Sequence, residues 1–200
     1  AVPGTKSDGN DYIKDAIDQG AKAILTNSLP SKILKEITYI KVNDVRQSLA
    51  RIASNFYDNP SHKLKLIGIT GTNGKTTTST LMYQLFKLFR QKVGLISTNK
   101  ILINDDEFET DMTTPDPLTL NKVLNDMTKS KVKYCFMEVS SHSIKQKRVD
   151  GLNFKVGVFT NLSHDHLDYH KTFKEYRNVK KAFFDSLEPN SVAIINADDK

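Results

Sequence analysis

Residues 71–77 read GTNGKTT, with glycines at 71 and 74, a lysine at 75 and hydroxyls at 76 and 77. Such a stretch suits a chain of phosphates. Glycines let backbone N–H groups close on phosphate oxygens, and a helix that starts there adds partial positive charge. Lys75 would reach the terminal phosphates, and the Thr76 hydroxyl would take Mg²⁺. Common loops of this kind carry a glycine five residues before Gly74; here that position is Ile69, bracketed by Gly68 and Gly71. The alternative is an ordinary glycine-rich turn with a fortuitous Gly-Lys-Thr. The flanks argue for the phosphate loop. Leu64, Leu66, Ile67 and Ile69 read as a buried parallel strand, and a helical pattern opens at Thr76 and Thr77.

Other residues could do chemistry. Glu138 closes an apolar run from Tyr134 to Val139. A buried carboxylate there needs a cation. Mg²⁺ beside the phosphate loop fits, and pairing with a lysine is the alternative. Residues 161–170 read NLSHDHLDYH, with three His and two Asp. Zinc would need a distant Cys or His set, which is absent, and the oxygen-rich neighbours suit Mg²⁺ better. Read alone, Thr113 and Thr114 form a helix-capping loop before Pro117, Arg148 is a surface arginine among Lys145 and Lys147, and residues 1–9 are a surface turn. Lys180, four residues after Tyr176, is read alone as a solvated helix lysine.

The words TGTNGKTTT, EVSSH and NLSHDHLDYH resemble the signatures of the Mur ligase family. With the opening AVPGTKSDG they are similar to its MurE type, which adds the third peptide residue to UDP-N-acetylmuramoyl-L-alanyl-D-glutamate. The resemblance covers nearly the whole chain. It implies ATP at Gly71, Thr72, Asn73, Gly74, Lys75, Thr76 and Thr77. It implies substrate contacts from Thr5, Lys6, Ser7, Thr113, Thr114, Ser140, Gln146 and Arg148. It also implies Mg²⁺, as two ions, on Thr76, Glu138, His166 and a carbamylated Lys180, with Lys75, His166 and Lys180 catalytic. Counting from Arg148 through NLSHDHLDYH and Tyr176 without a gap reaches Lys180, while Lys181 points elsewhere on the helix. His164 fills a variable position, and NADD at 196–199 is similar to a family word near the nucleotide.

The implied activity is ATP-dependent ligation of the UDP-N-acetylmuramoyl dipeptide to a diamino acid, meso-diaminopimelate or L-lysine, by a cytoplasmic monomer. A folate-type polyglutamate ligase and a non-ligase P-loop ATPase or binding module are the alternatives. The N-terminal segment and the spacing from EVSSH to NLSHDHLDYH argue against the folate type.

The elements that must position these residues alternate between helix and strand. An α/β fold is expected: a partial small N-terminal α/β domain over 1–62, then an incomplete, mostly parallel-sheet P-loop domain over 63–200. An amine-binding C-terminal domain is expected to lie outside the chain. Helices are expected near 11–19, from Asn43 or Asp44, over 75–89, from Pro117 to about Ser130, and from Thr172 to about Leu187. Val45, Leu49, Ile52, Ala53 and Phe56 should form the buried face of the second, and Leu81, Leu85 and Leu88 that of the third. Strands are expected near 21–26, 37–42, 64–69, 93–97, 134–139, 156–160 and 191–195, with a hairpin around Asn104-Asp105-Asp106.

Composition sets outer bounds. The 200 residues are 38% hydrophobic and 26% charged, ordinary for a globular chain. No apolar run approaches membrane length, so membrane insertion is not expected. The single cysteine, Cys135, rules out an internal disulfide and reads as core. A net charge of +6 suits anionic partners, but scattered lysines without aromatic interleaving do not suggest nucleic acid.

Overall fold

The computed structural model describes residues 1–4, 7–164 and 167–199. Thr5, Lys6 and His166, three of the expected site residues, lie outside the described residues.

The described residues form two sheets. The smaller pairs β1 (Ala23–Thr26) with β2 (Thr38–Lys41) in parallel. Helix α1 (Ile13–Asp18) precedes it and α2 (Val45–Phe56) follows. The larger sheet contains β3 (Lys65–Thr70), β4 (Val93–Ile96), β5 (Lys100–Ile103), β6 (Asp106–Glu109), β7 (Tyr134–Glu138), β8 (Phe154–Phe159) and β9 (Val192–Ile195). Its order is β6-β5-β4-β7-β3-β8-β9. The pairs β4–β7, β7–β3, β3–β8 and β8–β9 are parallel, and the β4–β5–β6 edge is antiparallel. The expected hairpin is the β5–β6 pair, turning at Asn104 with φ 54°.

Helix α3 (Lys75–Leu88) covers one face of this sheet, over Ile69, Leu95 and Phe136. On the other face α4 (Pro117–Lys129) and α7 (Phe173–Asp185) pack on Leu66, Cys135, Met137 and Phe154. Asp116 caps α4 and Pro117 sits in its first turn, where a missing N–H costs nothing. Short helices α5 (Ser141–Lys145) and α6 (Leu167–His170) lie between β7 and α7. Burial of Cys135 pushes its thiol far above the ordinary range, as expected of a core cysteine.

Two buried faces differ from expectation. On α3, Leu81 and Leu88 are 58% and 79% exposed, and Ser79 and Tyr83 face the sheet instead. The helix is apolar around a wide arc, and periodicity does not reveal which part of that arc meets the sheet. Small Ser79 permits close approach, and the Tyr83 hydroxyl donates to the Asn104 carbonyl. On α2, Val45 and Ala53 are buried as expected, but Ile52 and Phe56 are exposed, and Ala50 and Ser54 are buried on the helix, which packs beside α4. Small side chains again face the close contact.

Paired glycines govern the placement of α7. Gly68 of β3 lies opposite Gly157 of β8. A Cβ on Gly68 would come within 2.6 Å of the Phe183 ring, and one on Gly157 within 2.9 Å of Leu187. The two bare backbones let Phe183 settle on the sheet. Its stripe neighbours Lys180 and Tyr176, three and seven residues earlier, are thereby carried over the loop that follows β3.

Candidate phosphate-binding and substrate site

Adjacent strands β3 and β8 send the chain in opposite directions, toward β4 and β9 respectively. Ligands gather at such divergences, outside the carboxyl ends of the strands. A cleft of about 540 Å³ opens there, lined by Gly71–Thr77, Thr98, residues 111–114, Glu138, Ser140–His142, Arg148, Tyr176 and Lys180.

The loop between β3 and α3 is pinned from the end of β8. Asn161 accepts the Thr72 N–H on its carbonyl (2.9 Å) and the Asn73 N–H on its Oδ1 (3.0 Å). Its Nδ2 and the Thr160 hydroxyl both donate to the Asn73 carbonyl. Gly71 at φ +152° presses against Thr160, where a Cβ would lie 1.9 Å from Oγ1, and Gly74 at φ +84° turns the chain into α3. The loop is thus set to present backbone N–H groups at a helix N-terminus.

Two lysines converge on this loop. Lys75 Nζ donates to the Gly71 and Thr72 carbonyls at 3.0 and 2.7 Å. Lys180 Nζ donates to the same Gly71 carbonyl at 2.8 Å and lies 4.6 Å from the Tyr176 ring centroid. Lys180 is only 3% exposed, so the solvated reading of this helix lysine is incorrect. Lys181 points to the surface and pairs with Asp185. Tyr176 is fully buried, and its hydroxyl contacts Thr72 Oγ1 at 3.1 Å.

Glu138 is fully buried on the α3 side. It accepts from the Thr76 hydroxyl (3.0 Å), the Thr98 N–H (3.0 Å) and the Thr98 hydroxyl (3.2 Å). These donors are neutral, and Glu138 has no lysine or arginine ion pair among the described residues. A carboxylate beside a threonine hydroxyl is a hard oxygen set that suits Mg²⁺.

The substrate-side residues meet in the same cleft. Thr98 Oγ1, with its proton on Glu138, lies 3.1 Å from Thr113 Oγ1 and can accept from that hydroxyl. Thr114 donates to the Glu138 carbonyl (2.9 Å) and accepts the Ser140 N–H (3.2 Å). Arg148 is held by Thr114 O (2.8 Å) and, through Nε and Nη2, by Gln146 Oε1. Burial chiefly, and the positive charge of Arg46, pull its pKa down, while Tyr169 and Asp116 raise it. Gln146 is fixed by Tyr169 OH at 3.2 Å. Ser140 caps α5.

Of the described candidates, Gly71–Thr77, Thr113, Thr114, Glu138, Ser140, Arg148 and Lys180 line one cleft, with Gln146 directly behind Arg148. Ser7 does not; it is exposed on the N-terminal turn. His164 stacks on Phe173, with ring centroids 4.7 Å apart. The sequence reading missed Thr98, Thr160 and Asn161, and gave Tyr176 no role of its own in the site. All four touch the loop or Glu138 through pairings distant in sequence. The signal available was position alone: Thr98, Thr160 and Asn161 follow the carboxyl ends of strands.

The geometry can be set beside known proteins. Residues 69–200 match the family described as Mur ligase middle domain, and residues 1–57 match Mur ligase family, catalytic domain. The UDP-N-acetylmuramoyl-L-alanyl-D-glutamate--2,6-diaminopimelate ligase of Phocaeicola vulgatus is 52% identical over 200 residues, which are 100% of this chain and 41% of that protein. A solved structure of a ligase of that name superposes with TM-score 0.78 at 32% identity, over 94% of this chain and 38% of its own. The MurF ligase of Thermotoga maritima in complex with ADP gives TM-score 0.64 at 25% identity, over 100% of this chain and 42% of its own. The chain therefore spans about two fifths of the length of the relatives it matches. On the match of its larger part to the middle-domain family, this chain belongs to the Mur ligases.

Proposed function

We propose that the chain is the N-terminal and central part of an ATP-dependent amide ligase of the MurE type. Its substrates would be UDP-N-acetylmuramoyl-L-alanyl-D-glutamate and 2,6-diaminopimelate, the compounds named in its 52% identical relative. The work would take place in the cytoplasm, and the products would be the tripeptide, ADP and phosphate. One observation carries the reading. A phosphate loop, a buried carboxylate beside a threonine hydroxyl, and a half-buried arginine share one cleft.

The D-glutamate side-chain carboxylate attacks the γ-phosphorus of ATP. The bond from that phosphorus to the β–γ bridging oxygen breaks and ADP leaves. The amine then attacks the acyl carbon, loses a proton, and phosphate departs with an oxygen from the carboxylate. This chain's task is to position groups and neutralise charge. Lys75 would turn from the Gly71 and Thr72 carbonyls onto the terminal phosphates. The N–H groups of residues 71–77 would cradle the oxygens. Arg148, gripped by Gln146 and Thr114, would clamp the substrate carboxylate, since guanidinium binds carboxylates bidentately. Thr113, Thr114 and Ser140 would line its path.

Thr76 and Glu138 would hold one Mg²⁺; His166 and Lys180, carbamylated, would hold a second. These ions supply charge neutralisation and orientation of the phosphoryl oxygens. Burial suits Lys180 to carbamylation, because a lysine must be neutral to add carbon dioxide and burial favours that form. The domain division at 58–62 belongs to the same proposal, with amine recognition outside the chain.

Titration of the full-length enzyme with the uridine-linked dipeptide tests the reading. Saturable binding, absent with a folyl glutamate, is expected. Preference for the folate compound, or no binding of either, would overturn it.

A further inference from the structure

We propose that the end of the larger sheet opposite the cleft is a docking surface for an anionic lipid bilayer. This goes beyond the ligase reading and does not rest on it.

The parallel strands β4, β7 and β3 all begin at this pole, and α3 and α4 finish there. The turn from α3 into β4 carries Lys87, Arg90 and Lys92. The turn from α4 into β7 carries Lys129, Lys131 and Lys133, and Lys63 and Lys65 lead into β3. All eight are exposed. The three strand entries are neighbours. The Lys133 N–H donates to the Lys92 carbonyl and the Lys65 N–H to the Lys133 carbonyl, both at 2.8 Å. Lys65 and Lys133 each place Nζ 5.4 Å from the Tyr134 ring centroid. Lysines scattered in the sequence thus gather in the fold.

Their charge is only partly answered. Lys87 pairs with Asp105, Lys63 with Asp58 and Lys129 with Asp126. Lys65, Arg90, Lys92, Lys131 and Lys133 have no carboxylate ion pair among the described residues. Arg90 and Lys131 hold the left-handed positions that close α3 and α4, at φ 55° and 60°, where a helix end favours a cation. That local account does not extend to Lys65, Lys92 and Lys133.

Leu88 and Phe89 stand between Lys87 and Arg90, and both are exposed. Exposed apolar side chains flanked by cations suit the boundary between anionic headgroups and acyl chains. The patch suits other polyanions less well. Lysine is depleted at protein interfaces, and single-stranded nucleic acid is held by aromatic platforms with arginine. Here seven of the eight cations are lysines. Docking needs no membrane-spanning helix, and none occurs among the described residues. It leaves the cleft, at the carboxyl ends of the same strands, facing water and its soluble ligands.

Flotation of the full-length enzyme with lipid vesicles tests this. One set is phosphatidylcholine alone, the other roughly one-third phosphatidylglycerol. We expect binding to the anionic vesicles only, released by salt of about 0.5 M. Lys92→Ala/Lys133→Ala should weaken it about 20-fold, since each cation near an anionic surface contributes about fivefold. Leu88→Ser/Phe89→Ser should weaken it about tenfold. Lys14→Ala/Lys35→Ala, which removes the same charge from exposed lysines of the N-terminal part, should stay within about twofold. Turnover without vesicles should match wild type in the pole variants, which shows that they fold. No binding to anionic vesicles, equal binding to neutral ones, or equal loss in the pole and control lysine pairs would overturn the proposal. Binding to RNA or to polyaspartate in place of vesicles would assign the pole to another polyanion and overturn it too.

Discussion

The Gly71 carbonyl accepts from both Lys75 and Lys180. Both donors stand where a bound polyphosphate would compete for them. Lys75 is at the first position of α3, half-exposed and outside the core clusters, so Lys75→Ala should fold normally. In the full-length enzyme it should lower phosphate release by about 100-fold or more, since it removes charge from the reacting phosphate. A folded variant with near-normal turnover would contradict the loop assignment. Lys180 and Lys181 separate a buried role from a surface one. Lys180→Ala should lose most activity and regain part of it with added short carboxylates, which would stand in for an oxygen of the proposed carbamate. Lys181→Ala, which removes only an exposed pair with Asp185, should stay close to wild type. A crippled Lys181→Ala beside an active Lys180→Ala would show that the register is wrong.

The elements bring those residues together through one close approach. Gly68 and Gly157 leave room for Phe183, and α7 then lies where Tyr176 meets Thr72 and Lys180 meets Gly71. Gly68→Ala would force its new methyl into the Phe183 and Phe154 rings, at 2.6 and 2.8 Å, unless they shift. A cost of about 1–3 kcal/mol is expected. Thermal unfolding should register it as a Tm lowered by several degrees, and an unchanged Tm would show that the rings yield freely. Much of this arrangement was legible in the sequence. The strand before Gly71, the helix start at Lys75, Pro117 in the first turn of α4 and the odd carboxylate of Glu138 all follow from local patterns. Thr98 was not legible, because it matters only once β4 lies beside β7, a pairing of residues about forty apart in sequence. The buried face of α3, and part of that of α2, were misread for a related reason. Apolar periodicity marks large side chains, whereas Ser79 and Ala50 are buried because they are small. Arg148 read locally as one more surface cation, and only the chain's return past Thr114 makes it part of a wall.

Across the whole chain, the larger sheet carries the phosphate loop and the smaller N-terminal sheet stands beside it, joined through α2 to the Arg148 turn. Such a division suits a reaction in which one unit grips the nucleotide handle of a substrate and the other activates its far carboxylate. That account makes a specific claim about oxygen. The full-length enzyme should be given ATP, Mg²⁺, diaminopimelate and the uridine-linked dipeptide labelled with ¹⁸O in the D-glutamate side-chain carboxylate. Mass analysis of the released phosphate should show one ¹⁸O per tripeptide formed, and no phosphate release above background when the dipeptide is left out. Unlabelled phosphate, or ATP turnover that does not need the dipeptide, would contradict ligation through an acyl phosphate at this site.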